Sequence, residues 1–180
     1  MERTLLQYDQ IIERCRDLFL RKMDDYGTSW RILRPESVTD QIYIKAQRIQ
    51  SIEQKGTQKI GDDIRSEFIG IVNYGIIALM QVNLGDSAPI ALDPERTAAA
   101  YNEQAARAKE LMMAKNHDYG EAWRSMRISS YTDLILMKIY RTKQIEDRAG
   151  RTFVSEGVEA NYLDMINYAV FALIKIDFKE

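Results

Sequence analysis

At 180 residues, with 46% hydrophobic and 29% charged positions, the chain has globular composition and enough length to bury a real core. A formal net charge of −2 supplies no global field toward nucleic acid or an anionic membrane. The single Cys15 excludes an intramolecular disulfide and a cysteine-rich zinc site, and its expected place is a buried helix face. The opening MERTLLQYDQ has no apolar core segment, so no signal peptide is expected. No stretch approaches the length of a membrane span, and the expected location is the cytoplasm.

The first helix is expected over about residues 2–24, with Leu5, Tyr8, Ile11, Ile12, Cys15, Leu18 and Phe19 on one face. Gly27 breaks the chain inside KMDDYGTSW (Lys22–Trp30). A second helix is expected to start at Ser37, with Asp40 three residues on as a carboxylate variant of the capping box. Along it Ile42, Lys45, Ile49 and Ile52 form one stripe, which places a lysine in an apolar row. The third helix covers roughly 63–83 and is mostly apolar, and GDSAPIALDP (85–94) reads as a linker. Asp93-Pro94 is an N-cap followed by proline at the first helical position, opening a helix to about Asn116. Gly120 then breaks KNHDYGEAW (Lys115–Trp123). Ser130 with Asp133 opens the next helix, whose stripe is Ile135, Lys138, Thr142 and Ile145. The last helix spans about 156–177. No period-2 run suggests a sheet, so the expected fold is all-α.

The second half repeats the first. A shift of 93 positions superposes Lys22–Glu53 on Lys115–Glu146 without a gap, and fifteen of the 32 positions are identical, against about two expected from composition. After one inserted residue, Phe68–Leu79 aligns with Tyr162–Leu173. The expectation is a single domain of two tandem three-helix repeats (1–84 and 95–180, joined by 85–94), packed as a pseudo-twofold helical bundle.

Several repeated polar residues exceed what packing requires. Lys45 and Lys138 either snorkel to water or, with Arg48 and Arg141 one turn on, make a cationic pair that faces a ligand or forms a structural ion pair. In the nonapeptides, Tyr26, Gly27 and Trp30 read as a turn anchored on the core by its aromatics, as do Tyr119, Gly120 and Trp123. Alternatively these aromatics, Tyr26, Trp30, Tyr119 and Trp123, join Lys22, Asp25, Arg31 and Arg34, and Lys115, Asp118, Arg124 and Arg127, as candidates to bind a planar base attached to phosphate at a helix end. On the third helices, Asn161, Asp164, Asn167 and Tyr168 share a face, matched by Glu67, Gly70, Asn73 and Tyr74, with Glu67, Asn73, Asn161 and Asn167 as candidate ligand contacts. This is either an interhelical hydrogen-bond network or a site for Mg²⁺, which prefers oxygen ligands. Asp164 and Asp118 are the candidate catalytic carboxylates, with Asp164 as metal ligand or, alternatively, the buried counter-ion of a lysine. His117 is expected to be exposed.

On K..DYG..WR..R (Lys22–Arg34 and Lys115–Arg127), D.....K..R (Asp40–Arg48 and Asp133–Arg141) and the NYG/NYA helix, the chain resembles the nucleotide-modification-associated domain family, first type. The resemblance covers nearly the whole chain and implies an association with nucleotide metabolism or base modification. NYLDMINYAVFAL also resembles the metal-binding run of MazG-type all-α nucleoside triphosphate pyrophosphohydrolases, where an E-x-x-D pair holds Mg²⁺. The repeats each keep half of that pair, Glu67 with Gly70 and Asn161 with Asp164. The expected ligand is a nucleotide or phosphorylated small molecule, with Mg²⁺ as cofactor and no membrane partner. Nucleic acid and a homo-oligomer stay open as partners, and so does whether the chain is an enzyme. The competing reading is a helical interaction or assembly module whose charges are structural ion pairs.

Overall fold

A computed structural model describes residues 1–57 and 63–180. Among the described residues are six α-helices, two short 3₁₀ turns and no strand. Helix α1 (Glu2–Tyr26) is followed by a 3₁₀ turn (Ser29–Ile32), α2 (Pro35–Lys55) and α3 (Ile64–Leu84). The second repeat follows the same plan with α4 (Pro94–Tyr119), a 3₁₀ turn (Ala122–Ser125), α5 (Ile128–Asp147) and α6 (Val158–Asp177).

The helix ends follow local chemistry. Gly27 and Gly120 stop α1 and α4 with φ of 62°, a backbone shape that favours glycine. Asp93 caps α4 by accepting from Arg96 N at 2.9 Å, and Asp63 caps α3 by accepting from Ser66 N at 2.9 Å. The second helices begin earlier than expected, at Pro35 and Ile128, with extended Arg34 and Arg127 before them and no side-chain cap. Ser37 and Ser130 therefore lie inside the first turn and form no capping box. Pro35 presets the helical φ at N1 and forces Arg34 extended, which moves the start.

The two apolar third helices, α3 and α6, form the most extensive contact and run antiparallel. Arg65 near the start of α3 grips Asp177 at the end of α6 through bonds of 2.6 and 2.9 Å. Gly75 marks their close approach, since a Cβ there would lie 2.7 Å from Ile166 Cγ1. Helix α2 covers α3, α5 covers α6, and α2 and α5 meet each other. Helices α1 and α4 each touch both α3 and α6.

By length and mean hydropathy α3 does reach the range of a membrane span, contrary to the sequence expectation. Asn73 interrupts its apolar run in the sequence but does not lower the mean enough to matter. Two-thirds of the apolar window (67%) is buried in the bundle, with Phe68, Ile71, Val72, Ile76 and Leu79 fully inside. Cys15 is buried as expected, and burial pushes its thiol up to about 12.

The polar core is exchanged between repeats. Tyr8 on α1 donates to Asn167 Oδ1 at 2.7 Å, while Asn167 Nδ2 donates to the Ala108 carbonyl at 3.0 Å. The matching set is Tyr101 to Asn73 Oδ1 at 2.7 Å and Asn73 Nδ2 to the Cys15 carbonyl at 3.1 Å. Thr39 donates to Glu146 and Thr132 donates to Glu53, each at 2.6 Å. These reciprocal pairs are the signature of a pseudo-twofold relation.

Candidate functional site

Each repeat directs one face of its third helix toward the nonapeptide turn and the lysine of its second helix. In repeat two this face is closed. Asp164 Oδ1 accepts from Lys115 at 2.5 Å and Oδ2 accepts from Lys138 at 2.7 Å, with the carboxylate 6% exposed. Burial lowers the Lys115 pKa, but the hydrogen bond and charge of Asp164 outweigh it and leave the ammonium above its usual range. Two turns along α6, Phe171 stacks on Trp123 with ring centroids 4.4 Å apart and planes 8° apart. The Arg124 guanidinium lies 4.3 Å from the Trp123 ring centre. The buried indole Nε1 has no hydrogen-bond partner among the described residues, so ring contacts rather than a hydrogen bond hold the indole.

Repeat one carries different residues at the matching places: Gly70 for Asp164, Ile77 for Phe171 and Glu67 for Asn161. Glu67 accepts from Arg48 at 2.5 Å and lies 3.8 Å from Lys45 Nζ. The Lys45 chain crosses the bare face of Gly70, where an added Cβ would come within 2.7 Å of its Cδ and Cε. Its ammonium sits 5.6 Å from the centre of the Tyr74 ring. The result is an open cleft of about 680 Å³, lined by Lys22, Tyr26, Trp30, Lys45, Glu67 and Tyr74 among others. Lys22 has no ion pair among the described residues, and Tyr26 is 70% exposed.

The remaining candidates are placed elsewhere. Arg31 is taken up by the linker, donating to the Gly85, Ala88 and Pro89 carbonyls at 3.0, 2.7 and 3.2 Å and also to Gln81. Arg124 donates to Thr4 and Gln7 at 2.8 Å each and pairs with Glu180. Both arginines find their partners within the chain. Asn73 and Asn167 are used in the inter-repeat exchange described above, although Asn73 also touches the cleft. Asp25, Arg34, Tyr119 and Arg127 are exposed. So are His117 and Asp118, which contact each other at 3.1 Å. The two tyrosines of the nonapeptides do not anchor their turns on the core, as the sequence suggested: each is the last helical residue and points outward. Arg141 and Asn161 line a separate cavity at the α5–α6 turn.

The donor set at Asp164 does not fit Mg²⁺. Both carboxylate oxygens face ammonium groups, and no group of three His, Cys, Asp or Glu side chains converges among the described residues. The sequence places Gly70 and Tyr74 on this polar face without making either a ligand contact, and both line the cleft. The signal for Tyr74 was present in the repeated NY pair, and the signal for Gly70 was its mismatch with Asp164.

No curated protein and no solved structure matches the chain. The family described as nucleotide modification associated domain 1 matches it twice, over residues 22–82 and 115–176, one match for each repeat. These matches span more than half of the sequence and contain the nonapeptide, the second-helix cations and the third-helix polar face. The chain is therefore a tandem member of the nucleotide modification associated domain 1 family.

Proposed function

We propose that repeat one binds a nucleotide, a planar base joined to phosphate, in the cleft between α1, α2 and α3. The observation that carries this is the comparison of the two repeats. Repeat two holds its own anion, Asp164, between Lys115 and Lys138, and its own planar ring, Phe171, against Trp123. Repeat one keeps both lysines and the tryptophan but has Gly70 and Ile77 where that anion and ring stand, and its carboxylate Glu67 is engaged by Arg48, so a bound phosphate and base would supply what Gly70 and Ile77 do not. The cleft volume falls within the range of about 300–1,000 Å³ common for small-ligand sites.

The matching face of repeat two fits the structural reading instead, because Asp164 saturates both Lys115 and Lys138. The test is Gly70→Asp. The new carboxylate would meet only the flexible end of Lys45, and would bridge Lys22 and Lys45 as Asp164 bridges its lysines. Calorimetric titration with nucleoside mono- and triphosphates should show a binding component in the natural chain that Gly70→Asp abolishes. Thermal stability of the variant should be equal or higher. Equal binding by both proteins would overturn the assignment to this cleft.

A further inference from the structure

At the turn between α5 and α6 the repeats differ by two carboxylates. In repeat one, Asp63 caps α3 and Glu67, one turn on, holds Arg48 at 2.5 Å. The matching residues in repeat two are Gly157 and Asn161. Helix α6 accordingly starts without a side-chain cap, and Asn161 turns its amide to the Gly157 carbonyl at 2.9 Å. Arg141, the counterpart of Arg48, is left with no ion pair among the described residues. The turn adds Arg148 and Arg151, which also lack one.

Isolated surface arginines are ordinarily just solvated. These three share one cavity of about 370 Å³ with Lys138, against a single lining carboxylate, Glu156. Phe153, 93% exposed, stands among its lining residues. An exposed phenyl ring beside clustered guanidinium groups is the chemistry that takes up phosphate together with a base.

We propose that this cavity is a second anion site, which binds a phosphate ester of at least two negative charges and offers Phe153 to the attached base. Guanidinium groups from Arg141, Arg148 and Arg151 grip the phosphates, and the start of α6 adds its unpaired N–H groups. The site uses none of the cleft residues of repeat one and stands whether or not that cleft binds a nucleotide. The same chemistry is offered by a free nucleotide and by a single-stranded nucleic acid, and the experiment separates them.

Fluorescence anisotropy of the full chain is measured with a fluorescein-labelled oligothymidylate and, separately, with a labelled nucleoside triphosphate. Inorganic pyrophosphate is the competitor in both arms. At least one probe should bind and be displaced by pyrophosphate. The triple variant Arg141→Ala/Arg148→Ala/Arg151→Ala should weaken that binding at least tenfold. Asn161→Glu should weaken it as well, because the restored carboxylate would claim Arg141. For an oligonucleotide, the slope of log K against log salt should fall by about 2 in the triple variant, from about 0.7 per lost single-strand phosphate contact. Gly70→Asp should leave the component that the triple variant removes unchanged, which separates it from the repeat-one cleft. The probe that binds identifies the source of the phosphate. Binding of neither probe, or equal binding by the natural chain and the triple variant, would overturn the proposal.

Discussion

Replacing Asp164 with alanine removes one carboxylate and strands two lysines unequally. Lys138 is 12% exposed and sits 2.7 Å from Asp164, so it loses its counter-ion with little access to water. Lys115 is 47% exposed and can turn outward, so its loss is largely screened. Breaking a buried pair from one side costs about 3–5 kcal/mol. Because only one of the two stranded cations is buried, the lower end applies, about 3 kcal/mol. Urea or guanidinium unfolding should show this as a lower midpoint with an unchanged slope. Adding Lys138→Met should recover about 1–2 kcal/mol by removing the stranded ammonium, the non-additivity of residues in direct contact. A loss below about 1 kcal/mol would match an exposed pair and refute the view that this bridge is buried structure. So would a double variant that is less stable than Asp164→Ala alone.

Asn167→Leu should cost about 1–3 kcal/mol, because it leaves the buried Tyr8 hydroxyl without its acceptor. Tyr8→Phe in the same chain should recover part of that loss in denaturant melts. Glu146 should set an opposite pH trend from most carboxylates. Burial raises its pKa and the Thr39 and Tyr162 hydroxyls only partly offset this. A raised folded pKa means that its contribution is full below the unfolded value and is lost as pH rises through the folded one. Glu146→Gln should therefore gain melting temperature relative to the natural chain between about pH 4 and pH 7. A flat difference across that range would contradict the assigned burial.

The features legible in the sequence were those with local causes. Asp93-Pro94 and the two nonapeptide glycines act within a single turn, and they mark the helix ends where expected. The starts of α2 and α5 were both misplaced: Pro35 favours the earlier start of α2, while Ile128 opens α5 at the matching position without a proline. The roles of Arg31 and Arg124 could not be read, since their partners lie across the linker and near residue 180. Residue type alone cannot distinguish a guanidinium waiting for phosphate from one filled by backbone carbonyls. The shared face of Asn161, Asp164 and Asn167 was visible, but not its division of labour. Asn167 belongs to the inter-repeat exchange, Asp164 to two lysines, and Asn161 to the turn before its own helix.

That exchange predicts how half of the chain behaves. Residues 1–88 contain Tyr8 and Asn73, but Tyr8 bonds across to Asn167 and Asn73 receives its bond from Tyr101. Cutting between the repeats leaves both groups buried or newly wet without partners, at about 1–3 kcal/mol for each one that stays buried. It also strips α6 from α3, exposing the face around Gly75 and Ile76 that now packs on the other repeat. Two copies of the half could repair both losses together, since the matched tyrosine and asparagine would meet across a true twofold axis. We therefore expect residues 1–88 to be homodimeric, or otherwise to aggregate, with a melting temperature that rises with protein concentration. Sedimentation equilibrium and denaturant melts at several concentrations decide the matter. A monomeric half that unfolds cooperatively, at a midpoint independent of concentration, would mean that the exchanged pairs decorate two self-sufficient units rather than hold one core together.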